Sequence, residues 1–258
     1  MPDLSVTVLG AGPAWANPGG ACSGYLVSSG AQNLLLDCGS GILSRLRQSL
    51  PLDELDGVCI SHLHADHFID LISLRYGLKY GRLRSDSRLK LFAPPGAHQF
   101  FAELGRALDG DPHFFDGTYD LVEYTPGAPI DIGLLRLEFR PVKHYIAAYG
   151  LAIQANRRFV FSGDAAPCAQ LTDLARGADL FLCEAAIDHT NEDDPTPANR
   201  GHMTAFEAAV LAREAGAARL LLTHYQLRPG GVPPLADEAD RAFGRPVEFA
   251  LEGERYRV

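Results

Sequence analysis

The sequence predicts an α/β sandwich, with two β-sheets inside and helices on the outer surfaces. Short apolar runs typical of strands alternate with longer segments whose apolar residues recur at helical spacing. This alternation occurs twice, so the two halves of the chain resemble each other. The 258 residues, 47% of them hydrophobic, are enough to bury a sizeable core. We therefore expect one domain, residues 1–258.

The first half begins with strands and then alternates. The segment Gly41–Ser49 places Ile42, Leu43 and Leu46 at helical spacing, and Gly57–Ile60 reads as a buried strand. A polar cluster, Ser61–His67, follows that strand directly. The other strands predicted here are Leu4–Leu9, Tyr25–Ser28, Asn33–Asp37 and Lys90–Ala93, and the other helices are Phe68–Tyr80 and Ala97–Leu108.

The second half repeats the pattern. It ends with a helix at Ala236–Phe243 and an expected terminal strand pair. The longest polar stretch is Asp188–Gly201, and a loop of this length in a compact domain is usually functional or mobile. The remaining predicted strands are Leu134–Arg140, Gly150–Gln154, Phe159–Ser162, Leu180–Cys183 and Leu220–Thr223, and the remaining helices are Cys168–Arg176 and Thr204–Ala215.

Charge and cysteine content limit the functional classes to which the protein can belong. The formal net charge of −9 disfavours extended nucleic-acid binding, which requires Lys and Arg to neutralise phosphates. No signal peptide and no apolar run long enough to cross a bilayer are visible. The five cysteines show no CxxC spacing, and two of them, Cys59 and Cys183, fall in apolar runs. We expect reduced thiols in a cytoplasmic protein.

The strongest motif is HLHADH, which follows the strand Gly57–Ile60 and contains His62, His64, Asp66 and His67. Side chains two apart on an extended segment point the same way, so His62 and His64 can hold one metal ion. Asp66 and His67 then lie on the following turn and can hold a second. Imidazole and carboxylate are ligands that zinc prefers. A lone histidine is usually structural, but four such groups within six residues indicate a metal site.

Three further candidate ligands follow later apolar runs. His144 comes after Leu137–Val142, Asp164 lies in the turn after Phe159–Ser162, and His224 follows Leu220–Thr223. Taken singly, each could be only a turn or capping residue. As a set, they complete the ligand number that two metals require.

These motifs identify a resemblance to the metallo-β-lactamase superfamily. They are HxHxDH at 62–67, His144, SGD at 162–164 and THY at 223–225, and they span essentially the whole chain. The resemblance implies an αββα sandwich of two mixed sheets flanked by helices, with two metal ions at one edge. It assigns His62, His64 and His144 to one metal, and it assigns Asp66, His67 and His224 to the other, with Asp164 as the bridge.

The same resemblance implies roles for two aspartates. Two metals can hold a hydroxide as nucleophile, and Asp66 is placed to accept a hydrogen bond from it. Asp37 matches an early aspartate that orients ligand loops, although it could simply be a turn residue at a strand end. We expect two Zn²⁺ ions, with Mn²⁺ or Fe²⁺ as the alternatives.

His202 is the further candidate for catalysis. Thr204 and Glu207 have capping-box spacing, so His202 directly precedes a helix N-terminus, which favours anions. There it could stabilise a phosphoryl oxyanion or protonate a leaving oxygen, unless it only ends a loop. SGDAAPC at 162–168, CEAA at 183–186 and GHMTAFEAAVLAREAG at 201–216 resemble the ribonuclease Z group. That resemblance implies an acidic residue that orients His202. Glu184 is the candidate, and the competing interpretation is a structural residue at a strand end.

One departure from that group restricts the substrate. The long form carries a tRNA-binding arm between the positions matching His144 and Asp164, but only 19 residues (164 − 144 − 1) intervene here. The chain therefore resembles a short, armless form. We expect a phosphodiesterase for a cyclic nucleotide, a short RNA end or another small phosphodiester, and a homodimer. The alternative is a carboxylic-ester, lactone, thioester or sulfate-ester hydrolase.

A basic stretch after the metal motif leaves two interpretations open. It could face a phosphate-bearing substrate, but a solvated surface of helix and loop is the favoured interpretation. Its members are Arg75, Lys79, Arg82, Arg84, Arg88 and Lys90.

Overall fold

Two β-sheets form the centre of the molecule. The structure, a computed structural model, describes residues 2–81, 88–188, 199–228 and 236–258. Within these residues each sheet has seven strands, and each combines a parallel half with an antiparallel half. The sheets are therefore mixed, as the sequence led us to expect.

The first sheet contains the early strands and the last one. Its order is β14-β1-β2-β3-β4-β5-β6. The strands are β1 (Leu4–Gly10), β2 (Gly24–Ser29), β3 (Gln32–Leu36), β4 (Gly57–Cys59), β5 (Leu89–Ala93), β6 (Tyr119–Glu123) and β14 (Arg255–Arg257).

The second sheet is built from the second half of the chain. Its order is β13-β12-β11-β10-β9-β8-β7. The strands are β7 (Ile130–Ile132), β8 (Leu135–Val142), β9 (Ala148–Gln154), β10 (Arg158–Phe161), β11 (Leu180–Glu184), β12 (Leu220–Thr223) and β13 (Glu248–Phe249).

Helices cover the outer face of each sheet. The helices of the first half are α1 (Ile42–Ser49), α2 (Ala65–Phe68), α3 (Asp70–Tyr80) and α4 (Ala97–Asp109). Those of the second half are α5 (Ala169–Leu174), α6 (Ala205–Glu214) and α7 (Ala236–Phe243). No helix among the residues described is long and apolar enough to span a membrane.

The core consists of three buried layers, because side chains alternate between the two faces of each strand. In β11, for example, Leu180 and Leu182 point to the layer between the sheets, whereas Phe181 packs under α5 and α6. A third layer lies under α1, α3 and α4. The ring of Tyr124 stacks on that of Phe139 in the middle layer, with centroids 3.8 Å apart. Burial on both faces confirms the predicted αββα sandwich.

The topology brings the ends of several strands to one edge of the sandwich. Strands β3, β4 and β5 are parallel, as are β10, β11 and β12. Carboxyl ends of parallel strands meet at the same edge, which is where open α/β sheets place their sites. The segments that follow β3, β4, β10, β11 and β12 therefore all lie at this edge.

Two local expectations were wrong. The last two strands do not pair with each other, because β13 joins β12 of the second sheet while β14 joins β1 of the first. Helical structure also starts earlier than Phe68. Asp66 and His67 lie on α2 rather than on a simple turn, since the His67 amide donates to the His64 carbonyl and the Ile69 amide to the Ala65 carbonyl.

The structure also corrects the interpretation of the basic stretch for one member. Arg75 is buried rather than solvated. Its Nε donates to the Phe114 carbonyl, and its guanidinium lies 3.6 Å from the centroid of the Phe114 ring. Both contacts compensate for removing a charge from water. Arg82 and Arg84, and most of the loop Asp188–Gly201, fall outside the residues described.

Candidate metal centre

The structure brings together the seven side chains that the sequence singled out as metal ligands. They form two clusters. Within each cluster the ligand atoms all lie within 4.8 Å of one another. The first cluster contains His62, His64 and His144. The second contains Asp66, His67, Asp164 and His224.

The three histidines of the first cluster turn ring nitrogens toward a common point. Nδ1 of His64 lies 3.1 Å from Nε2 of His62 and 3.0 Å from Nε2 of His144. A tetrahedral zinc ion with Zn–N bonds of about 2.0–2.1 Å separates its ligand nitrogens by roughly 3.3 Å. The spacing of the three nitrogens is therefore close to what one such ion requires.

The second cluster has similar spacing. Nε2 of His67 lies 3.2 Å from Oδ2 of both Asp66 and Asp164. Nε2 of His224 lies 3.3 Å from Oδ2 of Asp164 and 3.9 Å from Oδ2 of Asp66. Two imidazoles and two carboxylates thus surround one small volume, which suits a divalent cation.

Asp164 lies between the two clusters. The same Oδ2 atom that faces His67 and His224 is 3.7 Å from Nε2 of His62 in the first cluster. The turn that carries Asp164 follows β10. The position suits a bridging ligand.

Buried polar atoms at this centre have no hydrogen-bond partner among the residues described. They are Oδ2 of Asp66, Nε2 of His67 and Nδ1 of His224. A buried acceptor without a partner costs free energy, of order 1–3 kcal/mol, more for a charged group. A bound cation would remove this cost for the Asp66 carboxylate and the His67 imidazole, so the donor set fits a metal centre.

Hydrogen bonds outside the clusters fix which nitrogen each histidine presents. Nδ1 of His67 donates to Oδ2 of Asp37 at 2.7 Å, so Nε2 faces the second cluster and is the nitrogen that can bind a cation. The Ser61 hydroxyl donates to Asp37 at 3.0 Å, so it is left to accept from Nδ1 of His62 at 3.1 Å. Asp37 therefore orients His67 directly and His62 through Ser61. The Ser23 hydroxyl also donates to Asp37.

His144 is oriented from the other side of the centre. Its Nδ1 donates to the Gly201 carbonyl at 2.7 Å, which again leaves Nε2 for a ligand. The sequence offered no signal for the bond to Gly201 or for the bond from Ser23 to Asp37, because the partners are 57 and 14 residues apart. Ser61 lies 24 residues from Asp37, and only its place beside His62 in the metal motif could have indicated its role.

Backbone conformation is unusual at two positions of the centre. Asp37 and His224 are the non-glycine residues with positive φ in the part of the chain that the structure describes, at 56° and 55°. Such conformations are uncommon outside glycine, although Asp and His adopt them more readily than most residues, and they cluster at functional sites. Close approach also matters at Gly39, where a Cβ would collide with the Asp66 carbonyl oxygen.

The pKa values of the clustered groups show how charge is distributed without metal. Burial lowers the pKa of His62, His64 and His144, so these imidazoles stay neutral with free lone pairs at neutral pH. Burial alone would raise the pKa of Asp164, but His224 and His67 hold it well below its usual range. The histidines of the first cluster are thus neutral. In the second cluster the Asp164 carboxylate stays ionised.

His67 takes up the compensating proton. Burial acts to lower its pKa, but the carboxylates of Asp164 and Asp37 outweigh burial and raise the pKa well above its ordinary value. Cation binding would replace that proton, because a metal ligand must offer a free lone pair.

His202 and Glu184 lie beside the clusters and contact each other. Nδ1 of His202 donates to Oε1 of Glu184 at 2.9 Å and lies 4.0 Å from Oδ2 of Asp164. Glu184 is fully buried, and it also accepts from the amides of Ala165 and Ala186. Glu184 is the last residue of β11, and His202 precedes α6, whose capping box between Thr204 and Glu207 is present.

His202 is both close to the ligands and partly exposed. Its ring centroid is 4.9 Å from that of His144 and 5.8 Å from that of His224, and 23% of its side chain is exposed. Burial acts to lower its pKa, but Glu184 and then Asp164 outweigh this and raise the pKa to about 9. The imidazole is therefore protonated at neutral pH and can donate a proton.

Comparisons with known proteins agree with this architecture. The profile described as "Beta-lactamase superfamily domain" matches residues 32–225. A Bacillus subtilis (strain 168) protein named "Probable metallo-hydrolase YhfI" is 32% identical over 252 residues, which cover 97% of this chain and 98% of that protein. The crystal structure of the metallo-beta-lactamase fold protein YhfI from Bacillus subtilis superposes with a TM-score of 0.85 at 27% identity, covering 100% of both chains.

A further relative carries a more specific name. The ribonuclease Z of Thermoplasma volcanium is 25% identical over 290 residues, which cover 93% of this chain and 93% of that protein. The similarity therefore extends over nearly the full length of both chains.

Proposed function

This chain belongs to the β-lactamase superfamily, with relatives that include metallo-hydrolases, and from that premise we propose that it is a dinuclear-metal phosphodiesterase. The substrate class is a small phosphodiester, such as a cyclic nucleotide or a short RNA end. The observation that carries the proposal is the hydrogen bond between His202 and the buried Glu184 carboxylate, next to two clusters of metal-binding side chains.

The ligand roles follow from the geometry of the two clusters. His62, His64 and His144 would hold one ion, and Asp66, His67 and His224 the other, with Asp164 between them. Two divalent ions, when bound, activate water and neutralise charge on a phosphate group. We propose zinc for both because imidazole ligands dominate, with Mn²⁺ or Fe²⁺ as alternatives that the ligand set also accommodates.

The chain's own residues supply the remaining parts of the reaction. Asp66, besides being a metal ligand, would accept a hydrogen bond from an attacking water. His202 donates a proton to the departing ester oxygen, and Glu184 keeps its imidazole oriented and charged. Alkoxide leaving groups need such a proton, because they are strong bases.

A small substrate agrees with the rest of the chain. The net charge of −9 provides no general attraction for a long phosphate backbone. Between His144 and Asp164 the chain runs through β9 and β10 without room for an arm. A homodimer and a cytoplasmic location stay predictions, as does the single domain 1–258.

Turnover of bis(p-nitrophenyl) phosphate tests the proposal. The protein would be loaded with zinc, manganese or iron and assayed beside His202→Ala and His98→Ala, the latter an exposed histidine that belongs to neither cluster. We expect turnover that chelation abolishes and that His98→Ala leaves unchanged. His202→Ala should lower the cleavage of a dinucleotide such as ApA, whose leaving group is an alkoxide, about 100-fold or more, and should affect bis(p-nitrophenyl) phosphate less, because p-nitrophenolate is a weak base.

The opposite result would mean that the same centre hydrolyses a different type of bond in its substrate. Absence of turnover with all three metals, together with hydrolysis of a lactone or an aryl ester, would contradict the phosphodiesterase proposal. The protein would then be a metal-dependent ester, lactone, thioester or sulfate-ester hydrolase.

A further inference from the structure

A large aromatic side chain stands exposed next to the metal centre. Tyr145 directly follows His144, and 60% of it is exposed. Its ring centroid lies 5.2 Å from that of His144 and 5.7 Å from that of His202. The ring therefore borders both the first cluster and the histidine that we propose as proton donor.

Gly201 fixes the position of this ring. A Cβ on Gly201 would lie 2.8 Å from both Cδ2 and Cε2 of Tyr145, so the ring edge rests against a backbone without a side chain. The same glycine provides the carbonyl that accepts from His144. One edge of the ring is thus packed beside the centre, while most of its surface remains open to solvent.

The structure assigns Tyr145 as a stacking platform for a nucleobase of the substrate. This inference rests on the proposed phosphodiesterase function. A phosphodiester bound at the metal centre within reach of His202 would place its ester substituent beside the Tyr145 ring, since that ring contacts both His144 and His202. Aromatic rings interact at centroid distances of about 4.5–7 Å, which such a substituent can reach.

The chemistry of the site favours a nucleobase over an aliphatic substituent. An exposed tyrosine offers a flat surface that is costly to hydrate, and any of the nucleobases can stack on it. One platform suits a substrate with one or two bases, in agreement with the acidic net charge. A cyclic nucleotide and the last nucleotides of an RNA share this chemistry.

Substrates that differ only in the base test the assignment. We would compare adenosine 3′,5′-cyclic phosphate with the cyclic phosphate of 1-O-methylribose, and the dinucleotide ApA with its analogues lacking either base. The proteins are the metal-loaded wild type, Tyr145→Leu, Tyr145→Phe and Tyr80→Leu. Tyr80 is the matched control, since it is 68% exposed and lies at the end of α3.

The platform predicts a selective change in KM. Tyr145→Leu should raise KM about tenfold more for the base-containing member of a pair than for the base-free member. Tyr145→Phe keeps the ring and should restore the wild-type preference, and Tyr80→Leu should not alter it. If the effect appears with the cyclic pair, the substrate is a cyclic nucleotide. If it appears with the dinucleotides, the substrate is an RNA end.

Two results would overturn the assignment and are distinguishable from each other. Equal KM values for the members of each pair in the wild type, or equal loss for both in Tyr145→Leu, would contradict the platform alone. A wild type that cleaves neither these compounds nor bis(p-nitrophenyl) phosphate would contradict the phosphodiesterase proposal as well.

Discussion

Nδ1 of His202 lies 2.9 Å from Oε1 of Glu184, and the two residues differ sharply in exposure. The carboxylate is fully buried, whereas the imidazole is 23% exposed beside the metal-binding clusters. Backbone amides of Ala165 and Ala186 also donate to the carboxylate, which keeps it in place. A fixed anion behind a partly exposed imidazole is an arrangement that holds a proton where a leaving group can take it.

Replacing this anion should change the pH dependence of the reaction. The pKa of His202 is raised to about 9, so a proton donor at this position is lost as the pH rises through that value. Glu184→Gln removes the negative charge, and the alkaline limb of kcat/KM should therefore move to lower pH. Bound metals lower the pKa in both proteins, so the comparison is made with the same metal.

The matched control is Glu103→Gln, an exposed glutamate on α4. It should leave the pH profile unchanged. An unshifted alkaline limb in Glu184→Gln, with metal content equal to that of the wild type, would mean that Glu184 does not control the proton on His202.

Asp37 should control metal affinity without contacting the metal. Its side chain accepts from Ser61 and from Nδ1 of His67, so Asp37→Asn replaces an acceptor with an amide that cannot satisfy both. Asparagine tolerates the positive φ of this position, and the backbone should be preserved. We expect an affinity about 10- to 100-fold lower, measured by competition with a chromogenic chelator.

An exposed aspartate provides the comparison. Asp131, whose side chain is 64% exposed, should tolerate Asp131→Asn with no change in affinity. Equal affinities of Asp37→Asn and the wild type would show that the hydrogen bonds to His67 and Ser61 are dispensable.

A single methyl group at Gly201 should disturb the first cluster. Its Cβ would lie 3.0 Å from Nδ1 of His144 and 2.8 Å from the Tyr145 ring, so Gly201→Ala must displace one of them. We expect loss of metal at the first cluster and a fall in turnover, measured by elemental analysis and kinetics. Gly77→Ala is the control, since its Cβ meets nothing within 4 Å inside α3 and alanine favours a helix. Full metal occupancy in Gly201→Ala would contradict the expected displacement.

Removing the metals should destabilise the fold. Without a cation, the buried oxygen of Asp66 and the nitrogen of His67 lack partners, whereas a ligand that binds only the folded state stabilises it. Metal at about 1,000 times its Kd contributes roughly 4 kcal/mol, so chelation should lower the Tm by roughly 10 °C. Differential scanning calorimetry measures this shift. A Tm that does not respond to chelation would indicate that the clusters hold no metal.

Much of the fold could be predicted because each strand and helix carries its own periodic pattern. The run Leu180–Glu184 alternates between the two core layers, and the pattern alone shows a buried strand. The last strands are different. With two and three residues, β13 and β14 carry no usable period, so nothing local indicates that they join different sheets.

The ligand residues could be singled out for a related reason. Each follows an apolar run, and chain topology then brings the ends of those strands to one edge. The partners that orient the ligands could not be predicted. The burial of Arg75 could not be predicted either, because it depends on contacts with Phe114, a residue 39 positions away.

The count of bound metal ions tests the central claim most directly. Elemental analysis of protein purified with metal, and anomalous diffraction at the metal edges, should show two divalent ions per chain, one at each cluster. His64→Ala should remove the ion of the first cluster, and His67→Ala that of the second, with loss of phosphodiester turnover in both. A wild type that turns over a phosphodiester fully with one ion per chain, or with none, would contradict the dinuclear centre.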